Sequence, residues 1–121
     1  MWNITTETHF SAAHHLDGYR GKCCGMHGHN FKVSITVEAT KLKKEGFGMD
    51  FRVLRQKLEE VVNCFDHKNL NELPAFKKIN PSAENIAKII WGSMSKKLDK
   101  SVKLKEIKVW ESEKNLVTYV E

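Results

Sequence analysis

Residues 31–40 read FKVSITVEAT, and this stretch decides the fold class. Phe31, Val33, Ile35, Val37 and Ala39 recur at every second position among β-branched and polar neighbours, which predicts a half-buried strand ending near Thr40. Toward the N-terminus, Trp2, Ile4, Thr6, Thr8 and Phe10 alternate in the same way with Asn3, Thr5, Glu7 and His9 and predict a first strand. Between the two, residues 11–26 carry Gly18, Gly21 and Gly25 among polar side chains. They read as a long loop, which in a compact domain is more often functional than idle.

Toward the C-terminus, Asp50 can cap a helix from Phe51 to about Asn63, in which Leu54, Leu58, Val61 and Val62 recur at spacings of three and four. Asn80, Pro81 and Ser82 signal a second helix, whose stripe of Ile86, Ile89, Ile90, Met94 and Leu98 carries it to about Lys97. Residues Phe65 to Ile79 read as a loop. Leu104–Glu111 and Leu116–Val120 alternate again about a polar turn at Ser112 to Lys114 and predict two further strands. The order strand, strand, helix, helix, strand, strand predicts an α+β domain: a four-stranded antiparallel sheet with two helices on one face. Such a sheet has two open edges, which must be covered, charged or paired with another chain.

The 121 residues suit one domain spanning residues 1–121, and 40% hydrophobic with 29% charged residues is globular composition. No run approaches the ~20 apolar residues needed to cross a bilayer, and Met1-Trp2-Asn3 lacks the pattern of a secretory signal, so the expected location is the cytoplasm with no membrane partner. Three cysteines, two of them adjacent, imply no disulfide framework. The net charge of +5 favours anionic partners without choosing among them. A basic zinc module that binds nucleic acid is one reading, but the chain has no paired Cys and His spacing of a zinc finger, no aromatic RNA-binding run and no dense basic stripe. No nucleic-acid partner is expected.

The chemistry-bearing residues begin with His27-Gly28-His29. In an extended segment residues two apart point the same way, so both imidazoles can face one metal ion, and His14 could add a third nitrogen if the first two strands pair. Three neutral imidazoles suit Zn²⁺ and leave a fourth tetrahedral position for substrate or water. Ordinary strand histidines with ordinary hydrogen bonds are the alternative. Cys23, four residues before His27 and beside Lys22, could be a thiolate base or nucleophile, or could belong to the metal site. Asp66-His67 could pair a carboxylate with an imidazole for proton transfer, or could simply form a turn. If Ile107 and Val109 face the core, alternation puts Glu111 on the same face, where its carboxylate needs a partner, such as a planar ligand edge with two parallel N–H donors. The alternative is a strand frayed by that point. Glu84, in the first turn of the second helix, complements the helix dipole.

Taken together, the segment Phe10-Ser11-Ala12-Ala13-His14, Cys23 before His27-Gly28-His29, Asp50-Phe51, Phe65-Asp66-His67-Lys68-Asn69-Leu70-Asn71, Pro81-Ser82-Ala83-Glu84-Asn85 and Glu111 resemble the 6-pyruvoyltetrahydropterin synthase superfamily. Within it, the chain is most similar to the 6-carboxytetrahydropterin synthase branch of queuosine biosynthesis, which has the shorter Cys23-x-x-x-His27 spacing. The doubled Cys23-Cys24 departs from the family pattern. The resemblance implies a tunnelling fold, with sheets joined between subunits into a barrel, and a homo-hexamer made from two trimers. It implies His14, His27 and His29 as zinc ligands, Cys23 as general base, Asp66 and His67 as a proton-transfer pair, Glu111 as anchor of the pterin ring, and Ser82, Ala83 and Glu84 as walls of the pterin pocket. The implied substrate is 7,8-dihydroneopterin triphosphate. The implied products are 6-carboxytetrahydropterin, acetaldehyde and triphosphate; a 6-pyruvoyl product is the alternative outcome of the same chemistry.

Overall fold

The computed structural model describes residues 1–18 and 25–121. The alternation seen in the sequence becomes two 13-residue strands, β1 (Trp2–His14) and β2 (His27–Ala39). They pair antiparallel along their whole length, from Trp2 opposite Ala39 to His14 opposite His27. β1 therefore extends into the segment that the sequence assigns to a loop, and β2 begins four residues before Phe31. Short, weakly strand-forming residues (Ser11, Ala12, Ala13, Gly28) hide the extension, and cross-strand pairing supplies the order that local propensity does not.

Two helices follow. In α1 (Phe51–Val62) Asp50 Oδ1 accepts the Arg52 N–H at 2.8 Å, and Leu54, Leu58, Val61 and Val62 are buried. In α2 (Ala83–Lys97) Ser82 Oγ accepts the Asn85 N–H at 3.2 Å, and Ile86, Ile90 and Met94 are buried. Between the helices the chain is not simply a loop. It turns at His67, whose φ of 57° is left-handed, and the His67 N–H donates to the Ser11 carbonyl at 2.6 Å. A two-residue strand, β3 (Lys68–Asn69), then lies parallel to β1 at Ala12 and Ala13, followed by two short 3-10 turns at Leu70–Glu72 and Pro74–Phe76.

The chain ends in β4 (Lys103–Trp110) and β5 (Leu116–Tyr119). The sheet order is β3-β1-β2-β4-β5, antiparallel except for β3. The fold class is the α+β arrangement expected, with a fifth strand added at one edge. The helices cover a single face, on which Phe10, Phe31, Val33, Ile35, Ile107 and Val109 are buried. Burying such side chains contributes about 1.5–3 kcal/mol each and ties the register of the strands to the core. At the end opposite the histidines, a Cβ on Gly48 would lie 2.6 Å from Ala39 Cβ, so only glycine lets the β2–α1 connection approach the sheet this closely. Among the described residues no helix is long and apolar enough to cross a membrane.

Candidate metal centre and adjoining site

Strand pairing assembles the site. Ala12 lies opposite His29 and His14 opposite His27, so all three imidazoles project from the helix-covered face at one end of the sheet. Their rings lie edge to face, with centroids 4.6 to 5.3 Å apart. His14 is buried and its Nδ1 donates to the Pro81 carbonyl at 2.7 Å; His27 Nδ1 donates to the Gly25 carbonyl at 2.7 Å. A carbonyl oxygen can only accept, so both protons sit on Nδ1, and in the neutral rings both Nε2 atoms are bare lone pairs. These two nitrogens face each other at 3.0 Å. Two lone pairs so placed repel unless a cation lies between them.

Glu111 completes the group. Ile107 and Val109 are buried and Glu111 follows on the same face, one residue beyond the end of β4, its N–H bonded to the Asn115 carbonyl. Glu111 Oε1 lies 3.1 Å from His29 Nε2 but off the ring's hydrogen-bonding direction, so this buried nitrogen has no hydrogen-bond partner. The potential ligand atoms of His14, His27, His29 and Glu111 all lie within 4.8 Å of one another. Burial holds the His29 pKa below the ordinary histidine value; Glu111 pushes against this, while His27 and His14 reinforce it. A neutral imidazole with its lone pair free is the form that binds a metal. The facing Nε2 atoms and the unpartnered His29 nitrogen therefore fit a divalent ion, and a nitrogen-rich donor set favours zinc or its neighbours over calcium or magnesium.

The other expected residues divide into two groups. Ala83, Glu84 and Glu111 line a small cavity of about 160 Å³ together with Asn115, Leu116 and Val117, so the N-terminus of α2 does adjoin Glu111. Ser82 caps the helix beside them. Asp66 and His67 stand apart from the metal cluster, at the β3 edge, where His67 and His29 are among the residues bounding an open groove of about 450 Å³. Asp66 Oδ2 lies 3.0 Å from His67 Nδ1, and Asp66 Oδ1 accepts the Ser11 N–H at 2.9 Å. The His67 side chain is 83% exposed, free to meet a ligand or a second chain. Cys23 and Cys24 lie outside the described residues. The Pro81 and Gly25 carbonyls that orient the imidazoles had no signal in the sequence, because every residue carries a carbonyl.

The Ser11 N–H holds the Asp66 pKa below the ordinary carboxylate value, against desolvation and with help from His67. A carboxyl depressed in this way stabilises the fold above its unfolded pKa and loses that contribution as pH falls through the folded value. Asp66→Asn should therefore be less stable than wild type at neutral pH, with the gap closing in acid. Urea melts across that pH range test this; a gap that persists unchanged in strong acid contradicts it.

The fold and this cluster define a small α+β protein built around a candidate metal centre beside a ligand-sized groove. The 6-pyruvoyl tetrahydropterin synthase family matches residues 3–121. The chain is 38% identical over 110 residues to a putative 6-carboxy-5,6,7,8-tetrahydropterin synthase of Archaeoglobus fulgidus (91% of this chain, 88% of the relative). It is 37% identical over 130 residues to the 6-pyruvoyl tetrahydrobiopterin synthase of Poecilia reticulata (96% and 88%). The structure of Caenorhabditis elegans 6-pyruvoyl tetrahydropterin synthase superposes with a TM-score of 0.84 at 25% identity, covering 100% of this chain and 97% of the other. The chain belongs to the 6-pyruvoyl tetrahydropterin synthase family, a family of enzymes that make tetrahydropterins.

Proposed function

We propose that the chain is a zinc-dependent 6-carboxy-5,6,7,8-tetrahydropterin synthase, converting 7,8-dihydroneopterin triphosphate to 6-carboxytetrahydropterin, acetaldehyde and triphosphate in queuosine biosynthesis. The observation that carries the enzymatic reading is the convergence of His14, His27 and His29, with the His14 and His27 lone pairs inward and His29 Nε2 buried and unpartnered. The branch rests on the Cys23-x-x-x-His27 spacing. Relatives named for the carboxy and the pyruvoyl products are about equally similar, which keeps a 6-pyruvoyltetrahydropterin synthase as the second reading.

Bound at the three imidazoles, Zn²⁺ would supply Lewis acidity that stabilises an oxyanion beside it. The chain's own residues then have distinct tasks. Glu111 accepts two parallel N–H donors from the pterin edge, a charge-assisted bidentate contact that fixes the ring. Ser82, Ala83 and Glu84 border the same edge. The Cys23 thiolate takes a proton from a side-chain carbon, and Asp66 with His67 returns or removes one on the other side. Moving protons in this way transfers reducing equivalents from the side chain to the ring, so no external redox cofactor is required; triphosphate leaves, and addition of one water balances cleavage to the carboxylate and acetaldehyde. The separation of Asp66–His67 from the cluster supports a site completed by a second subunit, within a homo-hexamer whose barrel forms through the open sheet edges, that of β1 beyond its two-residue pairing with β3 and that of β5. A base thiol that must stay reduced supports a cytoplasmic location.

The test is product analysis with dihydroneopterin triphosphate. A 6-carboxypterin with one equivalent of acetaldehyde is expected. A retained three-carbon side chain selects the pyruvoyl reading, and no turnover by the zinc-loaded protein contradicts both. Glu111 needs its own test, because it lies within reach of the metal. Glu111→Gln should keep zinc within a few-fold of wild type while raising KM for the pterin by at least about tenfold, the cost of losing a charged bidentate partner. Loss of zinc in this variant, measured by metal analysis, would make Glu111 a ligand instead.

A further inference from the structure

The chain leaves β1 at His14 and continues through His15, Leu16 and Asp17 with no strand of the described residues beside it. Two side-chain amides take the place of a strand. Asn71 Oδ1 accepts the His15 N–H at 2.9 Å, and Asn71 Nδ2 donates to the His15 carbonyl at 3.0 Å. Two residues on, Asn80 Oδ1 accepts the Asp17 N–H at 3.0 Å, and Asn80 Nδ2 donates to the Asp17 carbonyl at 2.9 Å. In a β-ladder, alternate residues present both N–H and C=O to the same side, and each carboxamide here satisfies one such residue completely. Together they prolong the hydrogen-bonded course of β1 by three residues past His14.

The backbone that carries each carboxamide is itself held. The Asn71 N–H donates to Asn69 Oδ1 at 3.2 Å, next to the β3 pairing. The Asn80 carbonyl accepts from Asn85 Nδ2 at 2.8 Å, which ties it to the first turn of α2. Asn80 is peptide-bonded to Pro81, whose carbonyl receives the His14 Nδ1 proton. One turn thus grips the imidazole of His14 with its backbone and the chain three residues further on with its neighbouring side chain.

We propose that Asn71 and Asn80 are positioning residues for the metal centre: by clamping the backbone of His15 and Asp17 they hold His14 in the tautomer and direction that aims Nε2 at His27 and His29. This rests on the metal-centre reading above. Groups that orient a ligand from behind it commonly change metal affinity by about 10- to 100-fold when removed, although they never touch the ion. The four hydrogen bonds are part-buried or exposed and none involves a core side chain, so their loss should cost the fold little.

The test uses Asn71→Ala and Asn80→Ala in the full chain, with two readouts. Amide exchange of the metal-free protein should show His15 and Asp17 protected in wild type, with His15 exposed in the first variant and Asp17 in the second. Competition with a chromogenic chelator should show zinc affinity lowered about tenfold or more in each, while the melting temperature of the metal-free form changes little. A purely structural role would lower the melting temperature and leave the zinc affinity of the folded protein where it was. Affinity within twofold of wild type after the amides have lost protection overturns the proposal and leaves the metal centre intact. Wild-type protein that takes up no zinc overturns both.

Discussion

His27→Ala should give a folded protein that no longer retains zinc. The ring is partly exposed and its neighbours on β2 toward the histidine end are polar or glycine, so truncation opens no cavity in the core. What it removes is one of three imidazole nitrogens, leaving His14, His29 and the Glu111 carboxylate as the remaining ligand atoms grouped there among the described residues. Structural zinc sites with four ligands hold the ion with about 10–16 kcal/mol, so losing one ligand should cost about 3–4 kcal/mol, or roughly 10²–10³-fold in affinity. Metal analysis after dialysis, with far-UV circular dichroism on the same sample, checks both halves of the expectation. The equivalent change at His14 is less informative. His14 is buried against Pro81 and Phe31, and its removal adds a packing cost to the lost ligand.

The second large effect is the opposite of the first. Cys23→Ala should keep zinc and lose turnover, by about 10²–10⁴-fold, the range a positioned general base supplies. Steady-state product formation with a parallel zinc determination separates the two roles. Since Cys24 is adjacent, Cys24→Ala is the necessary companion: if it is the damaging change, the base is one residue further on. If neither matters, the proton is taken by another group and the thiol reading is wrong.

The legible parts of this protein were those encoded by a repeating pattern. Period two in Phe31 to Ala39, and spacings of three and four in both helices, were fixed by burial on one face, which is a property of the whole element. The continuation of β1 through Ser11, Ala12 and Ala13 was hidden, because its order comes from pairing with Gly28, His29 and Asn30 across the sheet. β3 was hidden for a related reason: two residues carry no period, and the left-handed His67 that starts it is held by the Ser11 carbonyl, 56 positions earlier in the chain. At the site, side-chain identities were readable and backbone contributions were not. His27-Gly28-His29 announced two nitrogens on one side, but nothing announced that Pro81 and Gly25 would fix the tautomers. Glu111 falls on the face that alternation from Ile107 and Val109 required, even though β4 stops one residue short; its closeness to His29 follows from the register of β2 against β4.

The most direct measurement is a crystal structure of zinc-loaded protein with anomalous data at the zinc edge. One peak is expected, about 2.0–2.1 Å from a ring nitrogen of each of His14, His27 and His29, with both Nδ1 contacts to Pro81 and Gly25 retained. Rings turned away from one another, with no anomalous density between them in zinc-soaked crystals, would contradict the account.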